Sequence, residues 1–237
     1  MHADAGAEEP ADFSTSLEMT EGTSLEMTEG TSLEMTEGTS LEMTRNMKTD
    51  IKLAGVGGQG ILSIATVLGE AATAAGLYLK QAEVHGMSQR GGDVHSDLRL
   101  STDPIFSDLI PQGGADLILS MEPMEALRYL PYLAEGGAVV TSSKPFVNIP
   151  DYPAETELLS ELDALPKVVR MDIEAVAKGL LAPRSANMVL LGMAAPHIGI
   201  LSPEDLRQAI RTVFARKGEK VVEDNLKAFD AGYEGIQ

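Results

Sequence analysis

The sequence contains no cysteine and no tryptophan, and only 4% of its residues are aromatic. The absence of cysteine excludes disulfide bonds, a thiolate nucleophile and cysteine-ligated zinc, and it also excludes an iron–sulfur cluster held by thiolates of this chain. Any electrons that the protein helps to transfer must therefore travel elsewhere than through such a cluster.

Long apolar segments are also missing. Because no apolar run approaches the length of roughly 18 residues that spans a bilayer, and no charged-then-apolar leader is present, we expect neither a membrane span nor a secretory signal. The formal net charge of −18 argues against DNA or RNA as a partner, since nucleic-acid binding depends on clustered Lys and Arg. The sequence thus predicts a cytoplasmic protein that binds neither membranes nor nucleic acid.

The negative charge is concentrated in residues 1–46, which contain 11 acidic residues and one basic residue, Arg45. The octapeptide Thr-Ser-Leu-Glu-Met-Thr-Glu-Gly occurs here three times in succession, at 15–22, 23–30 and 31–38, followed by a truncated copy. This acidic low-complexity composition predicts a disordered N-terminal tail. A short partner-binding motif repeated for avidity is the alternative.

Residues 47–237 are predicted to form one α/β domain, because short apolar runs alternate with segments of helical periodicity. We expect a three-layer, mostly parallel Rossmann-like sheet with helices on both faces. The predicted strands are 51–54, 78–82, 94–100, 117–119, 138–141 and 168–171. Helices are predicted after the first strand, where apolar residues recur every three or four positions, and near the C-terminus at 203–215 and 219–232.

A glycine-rich segment, Gly55-Val56-Gly57-Gly58-Gln59-Gly60, lies between the first predicted strand and helix. Glycines at this place allow a tight turn and close approach of a ligand, and the amides at the helix N-terminus favour an anion. Glu83, at the end of the second predicted strand, has the approximate position of a ribose-binding acid. The glycines can equally serve only the packing of the strand against the helix.

A second polar loop runs from Glu83 to Gly92 and reads Glu-Val-His-Gly-Met-Ser-Gln-Arg-Gly-Gly. Arg90 is suited to bind a carboxylate or pyrophosphate through its guanidinium, although a salt bridge is the alternative. The candidate ligand-binding or interface residues of this loop are His85, Ser88, Gln89, Arg90, Gly91 and Gly92. The spacing of His85 and His95 lacks a third ligand, so we predict structural hydrogen bonds for them and no metal site.

After this loop, Val94, Leu98 and Leu100 alternate with His95, Asp97 and Arg99. Such alternation predicts a strand with one apolar face and one half-exposed polar face. His197, in contrast, lies within an apolar run and is predicted to be a core histidine.

Together, Gly-Val-Gly-Gly-Gln-Gly-Ile at 55–61 and Glu-Val-His-Gly-Met-Ser-Gln-Arg-Gly-Gly at 83–92 resemble the gamma domain of 2-oxoacid:ferredoxin oxidoreductases. The resemblance covers essentially all of 47–237, including Asn-Met-Val-Leu-Leu-Gly at 187–192. The short length and the Gly-Met-Ser-Gln-Arg sequence favour the indolepyruvate type over the pyruvate type.

The resemblance implies oxidative decarboxylation of an arylpyruvate to an aryl-acyl-CoA, with ferredoxin as the electron acceptor and CoA as a co-substrate. It also implies a large alpha subunit as partner, in a heterodimer or an α2β2 complex, which carries thiamine pyrophosphate, Mg and the 4Fe-4S clusters. This chain is expected to bind none of these cofactors and to be inactive alone. It has no Gly-Asp-Gly followed by paired asparagines, the pattern that holds thiamine pyrophosphate and magnesium in such enzymes.

Two other hypotheses remain open from the sequence. One is a free-standing NAD- or FAD-binding oxidoreductase built on the first glycine loop and Glu83. The other is a purely structural subunit, whose glycine loops serve only the interface with its partner. Catalytic residues are not identified under any of the three hypotheses.

Overall fold

The computed structural model describes residues 47–85 and 92–236, with the side chain of His85 excepted. The chain divides into two units, Met1–Met43 and Thr44–Gln237, and all the described residues belong to the second. The octapeptide repeats therefore lie outside the described residues, as do Ser88, Gln89, Arg90 and Gly91 of the second polar loop, also called the second glycine loop below.

Six strands form one sheet in the described part of the chain. They are β1 (Lys48–Val56), β2 (Tyr78–His85), β3 (Asp93–Ser101), β4 (Ala115–Ser120), β5 (Leu133–Ser142) and β6 (Val168–Met171). Seven α-helices accompany them: α1 (Ile61–Ala74), α2 (Pro123–Arg128), α3 (Glu155–Asp163), α4 (Ile173–Gly179), α5 (Ala186–Ile198), α6 (Pro203–Phe214) and α7 (Glu219–Glu234). All six predicted strands and both predicted C-terminal helices are present.

The order of the strands in the sheet is β2-β3-β1-β4-β5-β6. The pairs β1/β4, β4/β5 and β5/β6 are parallel, whereas β3 runs antiparallel to both β1 and β2. Because β3 follows β2 along the chain, these two strands replace the crossover unit that normally leads from the second strand of a Rossmann fold. The predicted mostly parallel sheet is confirmed, and β3, between β2 and β1, is the antiparallel strand among the six.

Alternating residues of the sheet face two separate apolar layers. Ile51 and Leu53 of β1 pack in the larger core together with α1, α4, α5, α6 and α7. Ala54 faces the opposite side, where the smaller core includes Ala126 of α2 and Leu162 of α3. The predicted three-layer arrangement, with helices on both faces of the sheet, is therefore confirmed.

Helix α5 is buried along nearly its whole length and approaches α7 closely through glycine. A Cβ atom at Gly192 would lie 2.0 Å from the carbonyl oxygen of Phe229, and one at Gly232 would lie 2.0 Å from that of Val189. Only residues without a side chain permit this backbone separation. The contact holds α5, and with it Asn187 in its first turn, in a fixed position beneath the sheet edge where β1 ends.

The polar face of β3 is partly exposed at His95 and Arg99, as predicted, but Asp97 between them is buried. Lys52 of β1 pairs with Asp97 at 2.6 Å, and their side chains are only 3% and 6% exposed. Two residues further along the same pair of strands, the Arg99 guanidinium donates to both carboxylate oxygens of Asp50 at 2.9 and 3.0 Å. Complementary charges on adjacent strands satisfy each other, which allows a polar face to be buried.

Candidate functional site

The first glycine loop joins the carboxyl end of β1 to the N-terminus of α1. Gly58 and Gly60 have φ angles of +100° and +87°, a conformation that side chains strongly disfavour. The Gln59 side chain folds back so that its Oε1 accepts the amide of Val56 at 2.7 Å. Residues 57–60 thus form a compact turn whose shape depends on glycine at two positions.

Asn187 of α5 packs directly against this loop. Its Nδ2 donates to the carbonyl oxygen of Gly60 at 3.1 Å, and a Cβ atom at Gly60 would lie only 2.8 Å from Nδ2. Gly55 is similarly enclosed, since a Cβ atom there would lie 2.9 Å from Cγ1 of Ile61. The glycine loop and the segment 187–192, both part of the sequence resemblance, therefore contact each other.

The predicted anion-binding amides of residues 57–60 differ in availability. Gly57 donates to the carbonyl oxygen of Gly92 at 2.9 Å, and the amide of Gln59 donates to Val56 at 3.1 Å. The amides of Gly58 and Gly60 donate to no acceptor among the described residues. These two amides are the ones that remain for a ligand at the positive end of α1.

An open cleft of about 730 Å³ lies beside the loop. Its lining includes residues 57–60, the Phe146 side chain and Asn187, together with two cations, Lys178 and Arg184. Lys178 has Glu174 at 3.8 Å, whereas exposed Arg184 has no carboxylate partner within the described part of the chain. Glycine amides and two cations around one cleft favour an anionic ligand.

Large apolar side chains are exposed in and next to this cleft. Phe146 lines it and is 43% exposed, whereas Leu62 and Leu181, 41% and 86% exposed, line two adjoining pockets that share residues with it. Among the described residues, Leu181 is also the one non-glycine residue with a positive φ angle, +59°. Exposed apolar side chains grouped around a polar cleft are typical of a surface that contacts another protein.

Buried Glu122 connects the start of α2 to the Phe146 segment of the cleft. Its carboxylate accepts the amide of Glu125 at 2.9 Å and the amide of Phe146 at 3.3 Å, and it also accepts the hydroxyl of Tyr152. Burial and this carboxylate raise the pKa of Tyr152. No local pattern in the sequence indicated that Glu122 anchors the loop that follows β5.

A polar cluster lies where β3 begins, next to the residue, Gly92, that accepts the Gly57 amide of the glycine loop. The Tyr129 hydroxyl is 2.8 Å from Oδ2 of Asp93 and 2.6 Å from Nδ1 of His95. Glu125, whose side chain is 2% exposed, is paired with Arg128 at 2.8 Å in the same region. His95 thus makes structural hydrogen bonds, as predicted, but the cluster is assembled from residues that no sequence motif connects.

Burial works to raise the pKa of Asp93, but hydrogen bonds from His95 and Tyr129 outweigh it, so the pKa of Asp93 is lowered. Burial raises the pKa of Glu125 in spite of Arg128, and the charge of Asp93 contributes in the same direction. The pKa of Tyr129 is raised, first by burial and then by its bond to Asp93. The cluster therefore favours an ionised Asp93 and a neutral Tyr129.

The arrangement of the sheet does not suit a dinucleotide. Glu83 of β2 pairs with Ser96 of β3, which in turn pairs with Leu53 of β1. A ribose-binding acid would have to lie on the strand next to β1, but here β3 occupies that place. The NAD- or FAD-binding hypothesis therefore loses its acidic residue.

The residues present do not fit the redox cofactors of the resembling enzymes either. The chain has no cysteine to ligate a cluster, and no three His, Asp or Glu side chains within the described ranges are grouped to hold a metal ion. None of the described helices is both long and apolar enough to cross a membrane.

Of the predicted site residues, the structure brings together Gly55, Gly57, Gly58, Gln59, Gly60 and Gly92.

Comparison with known proteins gives consistent matches. A family model described as pyruvate ferredoxin/flavodoxin oxidoreductase matches residues 50–235. Indolepyruvate oxidoreductase subunit IorB of Pyrococcus horikoshii is 39% identical over 197 residues, covering 79% of this chain and 96% of the relative. 2-Oxoglutarate synthase subunit KorC of Methanothermobacter thermautotrophicus is 31% identical, covering 80% of this chain and 96% of the relative.

A solved structure is similar over the same region. The gamma subunit of a keto/oxoacid ferredoxin oxidoreductase from Geobacter sulfurreducens has 26% sequence identity and a TM-score of 0.60, and the match covers 79% of this chain and 95% of that one. The fold and the sequence therefore point to the same group of proteins.

Proposed function

Because the chain belongs to the pyruvate ferredoxin/flavodoxin oxidoreductase family, we propose that it is the small subunit of an indolepyruvate:ferredoxin oxidoreductase. The complex would decarboxylate an arylpyruvate oxidatively, form an aryl-acyl-CoA and reduce ferredoxin. The observation that carries this proposal is the match along nearly the full length of relatives named as indolepyruvate oxidoreductase subunits.

The proposed partner is a large alpha subunit, in a heterodimer or an α2β2 complex in the cytoplasm. Thiamine pyrophosphate, Mg and the 4Fe-4S clusters are assigned to that subunit, because this chain has no cysteine and its described residues offer no metal site. The exposed side chains of Leu62, Phe146 and Leu181 support contact with a partner at the glycine cleft. In this arrangement the small subunit completes a site whose chemistry resides elsewhere.

The contribution of this chain would be positioning and electrostatics. The amides of Gly58 and Gly60, which have no acceptor among the described residues, provide hydrogen bonds for an anion in the cleft, and Arg184 and Lys178 provide positive charge. Suitable anions are the carboxylate of the arylpyruvate and a phosphate of CoA. Arg90 of the second loop would add a guanidinium to the same ligand. Fixed donors of this kind act by orienting a substrate, and they require no catalytic group on the small subunit.

The proposal is tested with Arg184→Ala and Arg90→Ala in the reconstituted complex. Loss of a charge-assisted hydrogen bond to the ligand should raise the KM for arylpyruvate or CoA about tenfold, with normal assembly. Arg211→Ala is the matched control, because Arg211 is an exposed arginine on α6 paired with Glu204 at 3.2 Å, and it should leave KM unchanged.

The same experiment separates the proposal from a purely structural subunit. The apolar residues around the cleft favour that alternative as a second candidate, since they suit an interface whether or not the loops bind a ligand. If both arginine variants assemble and keep wild-type KM values for both substrates, the loops serve only assembly. The ligand-binding role would then be wrong.

A further inference from the structure

The two glycine loops are linked through a short path that begins at Tyr129. The Gly57 amide donates to the carbonyl oxygen of Gly92 at 2.9 Å, and Gly92 immediately precedes Asp93, the first residue of β3. Asp93 is held by the Tyr129 hydroxyl at 2.8 Å. Tyr129 directly follows α2 and is 6% exposed, so one end of the path is fixed in the smaller core.

The bond from the Gly57 amide to the Gly92 carbonyl continues the register of β1 and β3 by one residue beyond the pair Val56/Asp93. It is the last bond between these two strands among the described residues. The bond between Gly57 and Gly92 therefore depends on how firmly the backbone of β3 is anchored where the strand begins. The side chain of Asp93, bound to Tyr129 and His95, provides that anchor from outside the ladder.

The protons of the cluster can be assigned from the distances and the chemistry of each group. An ionised carboxylate only accepts hydrogen bonds, so the single hydroxyl proton of Tyr129 must point to Asp93 Oδ2. His95 Nδ1 is 2.6 Å from the same hydroxyl oxygen and 3.3 Å from Asp93 Oδ2. Two acceptors facing each other at this distance would repel, so Nδ1 must carry a hydrogen that it donates to Tyr129.

We propose that Asp93, His95 and Tyr129 are positioning residues that hold the Gly92 carbonyl against the Gly57 amide, with Nδ1 of His95 carrying a hydrogen. The cluster holds Asp93 in place, Asp93 places the Gly92 carbonyl, and that carbonyl orients the Gly57 amide at the edge of the cleft. The placement concerns this chain alone. Its consequence for catalysis rests on the function proposed above.

Charged groups from each packed element surround the cluster. α2 contributes Glu125 and Arg128, joined at 2.8 Å, and β1 contributes Lys52, whose Nζ lies 5.0 Å from the centre of the Tyr129 ring. Oδ1 of Asp93 is buried and has no hydrogen-bond donor among the described residues unless Glu125 carries a proton. The raised pKa of Glu125 favours that protonated form and supports the anchored position of Asp93.

The test uses the full-length chain, labelled for NMR. The ¹⁵N shifts of the His95 ring in alkaline buffer report which nitrogen is protonated, and hydrogen exchange of the Gly57 amide reports the strength of its bond to Gly92. Tyr129→Phe should accelerate Gly57 exchange about tenfold, the effect of losing a hydrogen bond to a charged group, while Asp93 Oδ2, 3.3 Å from His95 Nδ1, keeps the hydrogen on Nδ1. Tyr132→Phe is the matched control, because Tyr132 packs beside Tyr129 with ring centres 6.1 Å apart.

A second pair of variants distinguishes the cluster from general destabilisation. His95→Asn keeps a donor near the Nδ1 position and should preserve slow Gly57 exchange, whereas His95→Gln places its donor near Nε2 and should resemble Tyr129→Phe. A wild-type His95 ring protonated only on Nε2 would overturn the proposal. So would equal Gly57 exchange in all four variants. Neither result would bear on the Arg184 test, which measures KM in the complex.

Discussion

Replacing Gly60 with alanine should destabilise the protein through two separate effects. A φ angle of +87° places an alanine in a strained backbone region, at a cost of about 1–2 kcal/mol. The new Cβ atom would also lie 2.8 Å from Nδ2 of Asn187, so Asn187 must move and lose its bond to the Gly60 carbonyl. A lost neutral hydrogen bond costs about 1 kcal/mol, which gives a combined loss of roughly 2–3 kcal/mol.

Gly58→Ala is the control for backbone strain. Gly58 has a comparable φ angle of +100°, but a Cβ atom there would meet no atom within 4 Å. This variant should therefore lose only about 1–2 kcal/mol. The difference between the two variants, about 1 kcal/mol, measures the contact of Asn187 with the loop.

Urea unfolding followed by circular dichroism is the suitable assay, because the chain has no tryptophan and secondary structure reports the described fold. Equal m-values are required for the comparison of free energies of unfolding. In an Asn187→Ala background, Gly60→Ala should cost no more than Gly58→Ala. If Gly60→Ala and Gly58→Ala are equally destabilising in the wild-type background, the close contact between α5 and the glycine loop is wrong.

Two further predictions concern buried charge and pH. Lys52→Met leaves buried Asp97 without its cation and should lower the free energy of unfolding by about 3–5 kcal/mol, a loss that the double variant Lys52→Met/Asp97→Leu should largely recover; a loss below about 1 kcal/mol would contradict the burial of this pair. The pKa of His197 is lowered from 6.5 by burial and by Lys167, so the unfolded chain binds a proton at this site more readily than the folded chain. Stability should therefore fall as pH decreases below about 6.5, and His197→Gln should reduce that dependence in urea titrations at several pH values. An unchanged pH dependence would show that His197 does not contribute.

The sequence was most informative where a local pattern determines structure. The recurrence of apolar residues after Gly60 predicted α1, and the helix predicted at 203–215 begins at Pro203, behind a capping box between Ser202 and Asp205. The glycine spacing also predicted a tight turn between β1 and α1. In each case the residues that decide the structure are within a few positions of one another.

The polar face of β3 shows why the remainder could not be predicted locally. Alternation placed His95, Asp97 and Arg99 on one face correctly, but it did not indicate that Lys52 and Asp50 on β1 would neutralise two of them. His197 was assigned to the core from its apolar neighbours, yet it is only half-buried near the end of α5. Burial of a polar residue depends on partners that are distant in sequence.

The candidate site has the same limitation. Gly60 and Asn187 are 127 positions apart, and Asp93 and Tyr129 are 36 positions apart. The resemblance indicated that the first pair belongs to one family pattern, but it gave no contact between them. No signal in the sequence connected Tyr129 with the second glycine loop, because its role depends on the position of α2 against the sheet.

The central claim is that this chain completes an enzyme whose redox chemistry resides in a larger subunit. The most direct measurement is viologen or ferredoxin reduction by indolepyruvate with CoA, comparing the large subunit alone, this chain alone and the purified mixture. Activity is expected only in the mixture. Full activity of the large subunit alone, or no activity in a mixture whose large subunit is loaded with thiamine pyrophosphate and clusters, would contradict it.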